Sequence, residues 1–225
     1  MEEENKINMP LIGDIAPTFT ANTTQGEINF PSDYEGKWVI FFSHPADFTP
    51  VCTTEFITFA SMAEEFKKYN TELIGLSIDG LYSHIAWLRT IKEKIIFKGM
   101  ENVEVNFPLI EDIKMEVASK FGMIQGKESA TQAVRAVFVI DPLGIIRAII
   151  YYPLTTGRNM DEIKRLVLAL QKADKDKVAT PANWMPGDDV IIPPPGSCGS
   201  AKDRVASEEE GKYCLDWFIC FKKDK

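Results

Sequence analysis

The order of apolar segments in this chain predicts an α/β fold, a central mixed sheet flanked by helices and followed by an extended C-terminal arm. Three observations carry that expectation. Residues 37–43 form a near-continuous apolar run of strand length, the pattern of a strand buried on both faces. Strand-like and helix-like segments alternate from there to about residue 172, which favours a sheet with crossover helices. After residue 177 the chain carries Pro181, Pro186 and the run Pro193-Pro194-Pro195, so it must be extended there.

At 225 residues the chain is long enough for one sizeable domain and an appendage. We place the boundary near 175–180, giving a main domain over 1–175 and an arm over 176–225. A hydrophobic share of 45% and a charged share of 26% are those of an ordinary globular protein. The net charge of -8 argues against non-specific nucleic-acid binding, which needs a basic surface. No apolar run reaches the length of a membrane span, and the acidic first residues lack the apolar core of a secretory signal. The expected location is the cytoplasm, where thiols stay reduced. The four cysteines then read as catalytic, metal-binding or core residues rather than as a disulfide framework.

In chain order, short β-prone pieces over 15–30 flank turn residues Asn22, Gln25 and Gly26, and predict a hairpin. The strand over 37–43 follows. Residues 49–69 predict a helix, because Phe56, Phe59, Ala63 and Phe66 recur every three or four residues. Thr49 stands at its N-cap and Pro50 at its first position, which puts Cys52 in the first turn. A second buried strand is expected over 72–78, a helix over 84–95 and irregular chain over 98–108. A short helix over 113–121 should stop at Gly122. Two apolar runs, 135–141 and 145–151, are joined by the turn sequence Asp141-Pro142-Leu143-Gly144 and predict antiparallel neighbours. An amphipathic helix is expected over 159–172.

Cys52 is the residue to explain. A free cysteine usually packs as a small hydrophobe. Here it sits where unpaired N–H groups and the positive end of a helix dipole favour a thiolate, and Thr49, Thr53 and Thr54 surround it. A strand buried on both faces delivers the loop to the sheet edge, where α/β proteins bind ligands.

The segment Pro45-x-x-x-Thr49-x-x-Cys52 resembles the peroxidatic motif of peroxiredoxins. The longer stretch Phe42-Ser-His-Pro-Ala-Asp-Phe-Thr-Pro-Val-Cys-Thr-Thr-Glu55 resembles the one-cysteine-like subfamily, which includes the mammalian sixth peroxiredoxin and archaeal thioredoxin peroxidases. Ser77-Ile-Asp79, Arg135-Ala-Val-Phe-Val, Tyr152-Pro-Leu-Thr-Thr-Gly-Arg158-Asn and Thr180-Pro-Ala-Asn-Trp184 resemble family segments in the same order, so the resemblance spans essentially the whole chain. It implies a thioredoxin-like fold and thiol-dependent reduction of hydrogen peroxide and organic hydroperoxides. It implies no metal, haem or flavin.

A peroxide is attacked by a thiolate, and a free thiol is only a few per cent ionised at neutral pH. A helix terminus contributes only about 0.3–1 kcal/mol. A guanidinium beside the sulfur is the obvious further source. Arg135 opens an apolar strand, where an arginine needs a partner. Read alone, it is equally an exposed strand-end residue or a partner of Glu55. The resemblance makes it the arginine that holds thiolate and peroxide, with Glu55 positioning it. Thr49 either caps the helix or bonds the substrate. Pro45 is expected to shield Cys52 from water. His44 belongs to the motif, but a general-base role does not follow. Arg158 either adds a second positive charge or pairs with an acid such as Asp161.

Cys214 and Cys220 resemble the C-terminal Cys-x5-Cys of archaeal members. That resemblance implies that Cys220 of a neighbouring subunit resolves the oxidised Cys52 and that Cys214 is an exchange partner, with thioredoxin or a glutaredoxin-like protein as reductant. It also implies dimers assembling into larger rings, commonly decamers. The aromatics between the two cysteines are expected to dock the arm. Cys198 matches no motif and reads as a loop thiol. The segment from Tyr34 to Val39 lacks the serine of the mammalian lipase-like element, so lipase activity is not implied. Two other readings stay open: a one-cysteine peroxidase reduced directly by an outside thiol, and a non-enzymatic holdase or zinc module built on Cys198, Cys214 and Cys220. Zinc sites favour cysteine pairs two to four residues apart, a spacing missing here.

Overall fold

Seven strands form one mixed sheet in the computed structural model, which describes residues 9–197 and 211–224. Cys198 lies outside the described residues. The described chain divides after Met160 into two compact units, ahead of the composition change near 175–180.

In the first unit, β1 (Phe19–Thr23) and β2 (Gly26–Phe30) make the expected hairpin. The all-buried run becomes β3 (Trp38–Ser43), at the centre of the sheet. Then follow α1 (Pro50–Lys68), β4 (Thr71–Ser77), α2 (Leu81–Lys94), β5 (Leu109–Glu111), α3 (Glu116–Lys120), β6 (Arg135–Ile140) and β7 (Ile146–Tyr152). The strand order is β2-β1-β5-β4-β3-β6-β7, with β3 parallel to β4 and antiparallel to β6.

The period of two along β3 splits the core into two layers. Phe41 meets Phe121 just after α3, with ring centroids 4.8 Å apart. Phe42 points the other way, onto Phe56 and Phe59 of α1 at 5.6 and 4.5 Å. Thus α1 covers one face of β3, and the residue that closes α3 covers the other. Truncating one of these buried rings to alanine costs about 3–5 kcal/mol.

Three elements differ from expectation. The strand β5 lies just after the stretch read as irregular, and three residues after Pro108 are too short a run to show periodicity. It exists because β4 and β1 flank it. The helix α2 begins three residues early, with Gly80 as its N-cap residue. The helix α3 is only a turn or so long, because Met115 before it is left-handed (φ 58°) and Asp112 accepts the first N–H groups, from Val117 and Ala118. Gly122 ends it at φ 64°, as expected.

The second unit begins at Asp161, one residue into α4 (Met160–Asp176). A small cluster of Ala169, Trp184 and Val190, with Leu168 and Val178 against it, gives the C-terminal residues a packing centre shared with α4. The proline-rich stretch is extended, but the sequence reading missed a three-stranded sheet of β8 (Val190–Ile192), β10 (Ile219–Lys222) and β9 (Lys212–Asp216). Its strands are short and half exposed, so the buried-run signal that betrays β3 is missing.

Candidate active site

Strand pairing builds the site. Phe42 of β3 stands opposite Val137 of antiparallel β6, so the end of β3 meets the start of β6. Ser43 fastens this junction: its hydroxyl donates to the Val134 carbonyl (2.6 Å) and accepts from the Ala136 N–H (3.1 Å). The loop after Ser43 leads into α1, and Arg135 opens β6. The first turn of α1 and Arg135 are therefore brought to one place.

Cys52 is fully buried there and is a free thiol. Arg135 Nη1 lies 3.3 Å from its Sγ and 2.8 Å from Glu55 Oε2. The same guanidinium is fixed on its other side, where Nε and Nη2 donate to the Leu154 carbonyl at 3.0 and 2.9 Å. Glu55 is one turn on from Cys52 along α1, which puts both on one face. Arg135 is thus a buried arginine with Glu55 as partner, not an exposed strand end.

Arg158 pairs with Glu55. Its backbone N–H and Nε donate to Oε1 (2.8 and 3.0 Å) and its Nη2 to Oε2 (2.7 Å). Its Nη1 donates to the carbonyls of Ser43 and Ala136, both at 2.9 Å, and the guanidinium lies over the Phe42 ring at 5.2 Å. Burial alone would raise the Glu55 carboxyl. The charge and hydrogen bonds of Arg158 and the charge of Arg135 outweigh it, and the carboxyl sits below its ordinary value. Two guanidiniums and one carboxylate leave one positive charge in a dry site, with Cys52 Sγ against it.

Thr49 is the N-cap residue of α1, but its hydroxyl caps no helix N–H; it donates to the Ala46 carbonyl at 2.9 Å. The capping role considered for it is corrected accordingly. Pro45 is buried in the same loop. The loop turns at Phe48, which is left-handed (φ 56°) and exposed.

His44 bonds Asp47 through Nε2 (3.0 Å), and Asp47 also bonds His84 of α2. The sequence reading passed over Asp47 and His84. They are 37 positions apart, and the one available signal was that His84, Trp87 and Ile91 share a buried face of α2. Donor atoms of His44, Asp47 and Asp79 lie within 4.8 Å of one another, a spacing that could hold a cation, but both Asp47 oxygens already bond imidazoles.

In the second unit Cys214 and Cys220 stand opposite each other on β9 and β10 and form a disulfide. In that form neither sulfur is a thiolate ligand for zinc. Cys220 is fully buried and Cys214 half-buried. Trp217 and Phe218 at the hairpin tip are 46% and 52% exposed, so within this unit they do not dock the arm.

A buried cysteine at a helix start, bonded by an arginine at the edge of a mixed sheet, defines a thiol-based redox protein of thioredoxin-like fold. Residues 12–149, over half of the chain, match the AhpC/TSA family, and residues 169–208 match the C-terminal domain of 1-Cys peroxiredoxin. A peroxiredoxin of Methanosarcina mazei is 71% identical over 96% of this chain and 99% of its own, and one of Aquifex aeolicus is 53% identical over 96% and 98%. Among solved structures, a yeast mitochondrial 1-Cys peroxiredoxin superposes with a TM-score of 0.81 at 43% identity, covering 96% of this chain and all of that one. Peroxiredoxin 6 of Arenicola marina, in a cysteine-to-serine mutant form, gives 0.82 at 33% identity, covering 96% and 99%. The chain belongs to the peroxiredoxin family, in its 1-Cys and peroxiredoxin-6-like branch, and is a thiol peroxidase acting on peroxides. Among the described residues no helix is long and apolar enough to cross a membrane.

Proposed function

We propose that Cys52 is the peroxidatic nucleophile. The carrying observation is Arg135 Nη1 at 3.3 Å from Cys52 Sγ, on a guanidinium held from two other sides by Glu55 and the Leu154 carbonyl. A thiolate would cancel the one positive charge left by Arg135, Arg158 and Glu55. Fixed donors beside the sulfur also suit an oxygen that gains charge as an O–O bond breaks. The thiolate attacks one peroxide oxygen, an S–O bond forms, the O–O bond breaks, and the other oxygen leaves as alcohol or water after taking a proton. Cys52 becomes a sulfenic acid. Arg135 and Thr49 bind the peroxide, whose approach Pro45 keeps dry; Glu55 and Arg158 position Arg135.

The thiol of Cys220 from the partner subunit then attacks the sulfenic sulfur, forming a disulfide and releasing water. Exchange with Cys214 moves that disulfide into the Cys214–Cys220 pair, and an external dithiol such as thioredoxin or a glutaredoxin-like protein takes the oxidation away by thiol–disulfide exchange. Half-buried Cys214 is the sulfur open to that dithiol, and Cys220 is its leaving group. Residues 176–225 act as the dimerisation and resolving arm of a cytoplasmic homo-oligomer, a dimer assembling into a decamer.

The test is mass spectrometry after one equivalent of hydrogen peroxide without reductant. The expected product is a Cys52–Cys220 crosslink between chains; an unmodified Cys52 overturns the nucleophile, and a Cys52–Cys214 link overturns the resolver. A second reading, a one-cysteine cycle with direct reduction of Cys52, is favoured by the intrachain Cys214–Cys220 bond. Unchanged turnover of Cys220→Ser with thioredoxin would select it. Peroxide consumption that survives Cys52→Ser would point to neither.

A further inference from the structure

The loop carrying Pro45 and Thr49 is tied down by side chains that the cycle above does not use. His84 is fully buried on α2. Its Nδ1 lies 2.8 Å from Asp47 Oδ2, and its Nε2 lies 3.1 Å from the Ile110 carbonyl of β5. The other Asp47 oxygen lies 3.0 Å from His44 Nε2. The Asp47 N–H donates to Asp79 Oδ2 (2.9 Å), which also accepts the Ser77 hydroxyl (2.7 Å). His44 is itself fully buried, stacked on Trp87 and edge-on to Phe56, and its Nδ1 has no hydrogen-bond partner among the described residues.

The donors and acceptors fix the protons. A carbonyl and an ionised carboxylate can only accept. Both ring nitrogens of His84 face such oxygens, so both contacts are hydrogen bonds only when both nitrogens carry hydrogen. A neutral ring would set a lone pair against one oxygen in a site without solvent. The second Asp47 oxygen takes its hydrogen from His44 Nε2. A second hydrogen on His44 would bury an N–H without an acceptor and a second positive charge near His84. Burial pushes the His44 pKa down, and the His84 charge acts the same way, against the partly offsetting pull of Asp47 and Asp79. Burial would raise the Asp47 carboxyl, but its bonds to the two imidazoles hold it well below the usual carboxylate range.

We propose that His84 is a positioning residue: held doubly protonated between Asp47 and the Ile110 carbonyl, it fixes through Asp47 both the loop from His44 to Thr49 and the Nε2–H tautomer of His44. The ion pair of His84 and Asp47 joins that loop to α2, to β5 and, through Asp79, to the end of β4. Ala46, between His44 and Asp47 in the clamp, accepts the Thr49 hydroxyl. Its effect on rate rests on the reading of Cys52 as nucleophile; the proton assignment does not.

The chain has only two histidines, so protein labelled with nitrogen-15 in histidine gives four ring-nitrogen signals. At neutral pH three should show a bonded hydrogen and one, His44 Nδ1, none. A count of two and two overturns the assignment, whatever the peroxidase activity. In Asp47→Asn the carboxylate that balances the buried His84 cation is gone, so His84 should give up one ring hydrogen and the count should change to two and two. An unchanged three and one in a folded Asp47→Asn overturns the role of Asp47 as the group that sets the protons. His84→Gln, checked for native near-ultraviolet dichroism, should lower the second-order rate of Cys52 oxidation by hydrogen peroxide roughly 10- to 100-fold, the scale of a lost positioning contact. A folded His84→Gln with an unchanged rate overturns the positioning role.

Discussion

The two cysteine regions of this chain are built on opposite terms. Around Cys52 each charged group is buried and bonded to another: Arg135 and Arg158 share Glu55, and backbone carbonyls take their remaining donors. Around Cys214 and Cys220 the strands are short, Cys214 is half open, and the hairpin tip presents Leu215, Trp217 and Phe218 to solvent. On the proposed roles the difference has a reason: a site that holds a transition state benefits from groups already in place, whereas a pair that hands its oxidation to another protein needs an accessible sulfur and a segment of low local stability.

The sharpest way to break this contrast is at the sulfurs themselves. Cys52→Ser should abolish peroxide consumption altogether in a stopped-flow assay. Cys220→Ser and Cys214→Ser should leave the first oxidation of Cys52 at its normal rate while stopping steady-state turnover with a dithiol; a slowed first oxidation would show that the two regions are not separable.

Next comes the charge cluster. Glu55→Gln leaves two buried guanidiniums without their carboxylate, and urea denaturation should show a loss of about 3–5 kcal/mol, the scale of a broken buried ion pair. Peroxide reactivity should fall with it, because Arg135 loses the oxygen that aims it.

Acid should act on the buried region too. The folded Glu55 carboxyl lies below its ordinary value of 4.5, so it stabilises the fold above that pH, and this contribution is lost as pH falls through the lower folded value. Folded His44 is likewise depressed from 6.5, so the fold is penalised as pH drops below that point, where the unfolded ring gains a proton and the folded one does not. With His84 already charged in the folded chain, the two unfolded rings bind more protons than the folded pair only below about 6.5, so denaturation midpoints should fall as pH drops below that value, and His44→Gln should flatten that step. The smallest effect belongs to the hairpin tip: Trp217→Ala should change stability by no more than about 0.5 kcal/mol, as for exposed sites.

How much of this was legible in the sequence follows the same division. The central strand and α1 were readable because burial leaves a period, two in β3 and three or four in α1. Cys52, Arg135 and Glu55 could be named from motif and chemistry, but the link from Arg158 to Glu55 could not, because 103 positions separate residues that only strand pairing brings together. The helix cap was readable as a position but not as a bond: the sequence left the Thr49 hydroxyl open between helix and substrate, and in the structure it turns back to Ala46. Asp47 leaves no pattern and His84 only its place on the apolar face of α2, since a buried polar cluster is defined by its hydrogen bonds and not by spacing. The C-terminal sheet was missed because its strands bury little.

The charge count around Glu55 has a thermodynamic consequence for the redox cycle. With Cys52 as a thiolate the buried cluster is neutral overall. A sulfenic acid or a disulfide at Cys52 carries no charge, so oxidation leaves one guanidinium charge uncancelled in a medium that solvates it poorly. If Cys52 is the nucleophile proposed above, peroxide spends part of its oxidising energy on unsettling the pocket it has just entered. On that reading the reduced protein should melt at a higher temperature than the oxidised one, and the pocket is pushed to open at the moment when a reducing thiol has to reach Cys52.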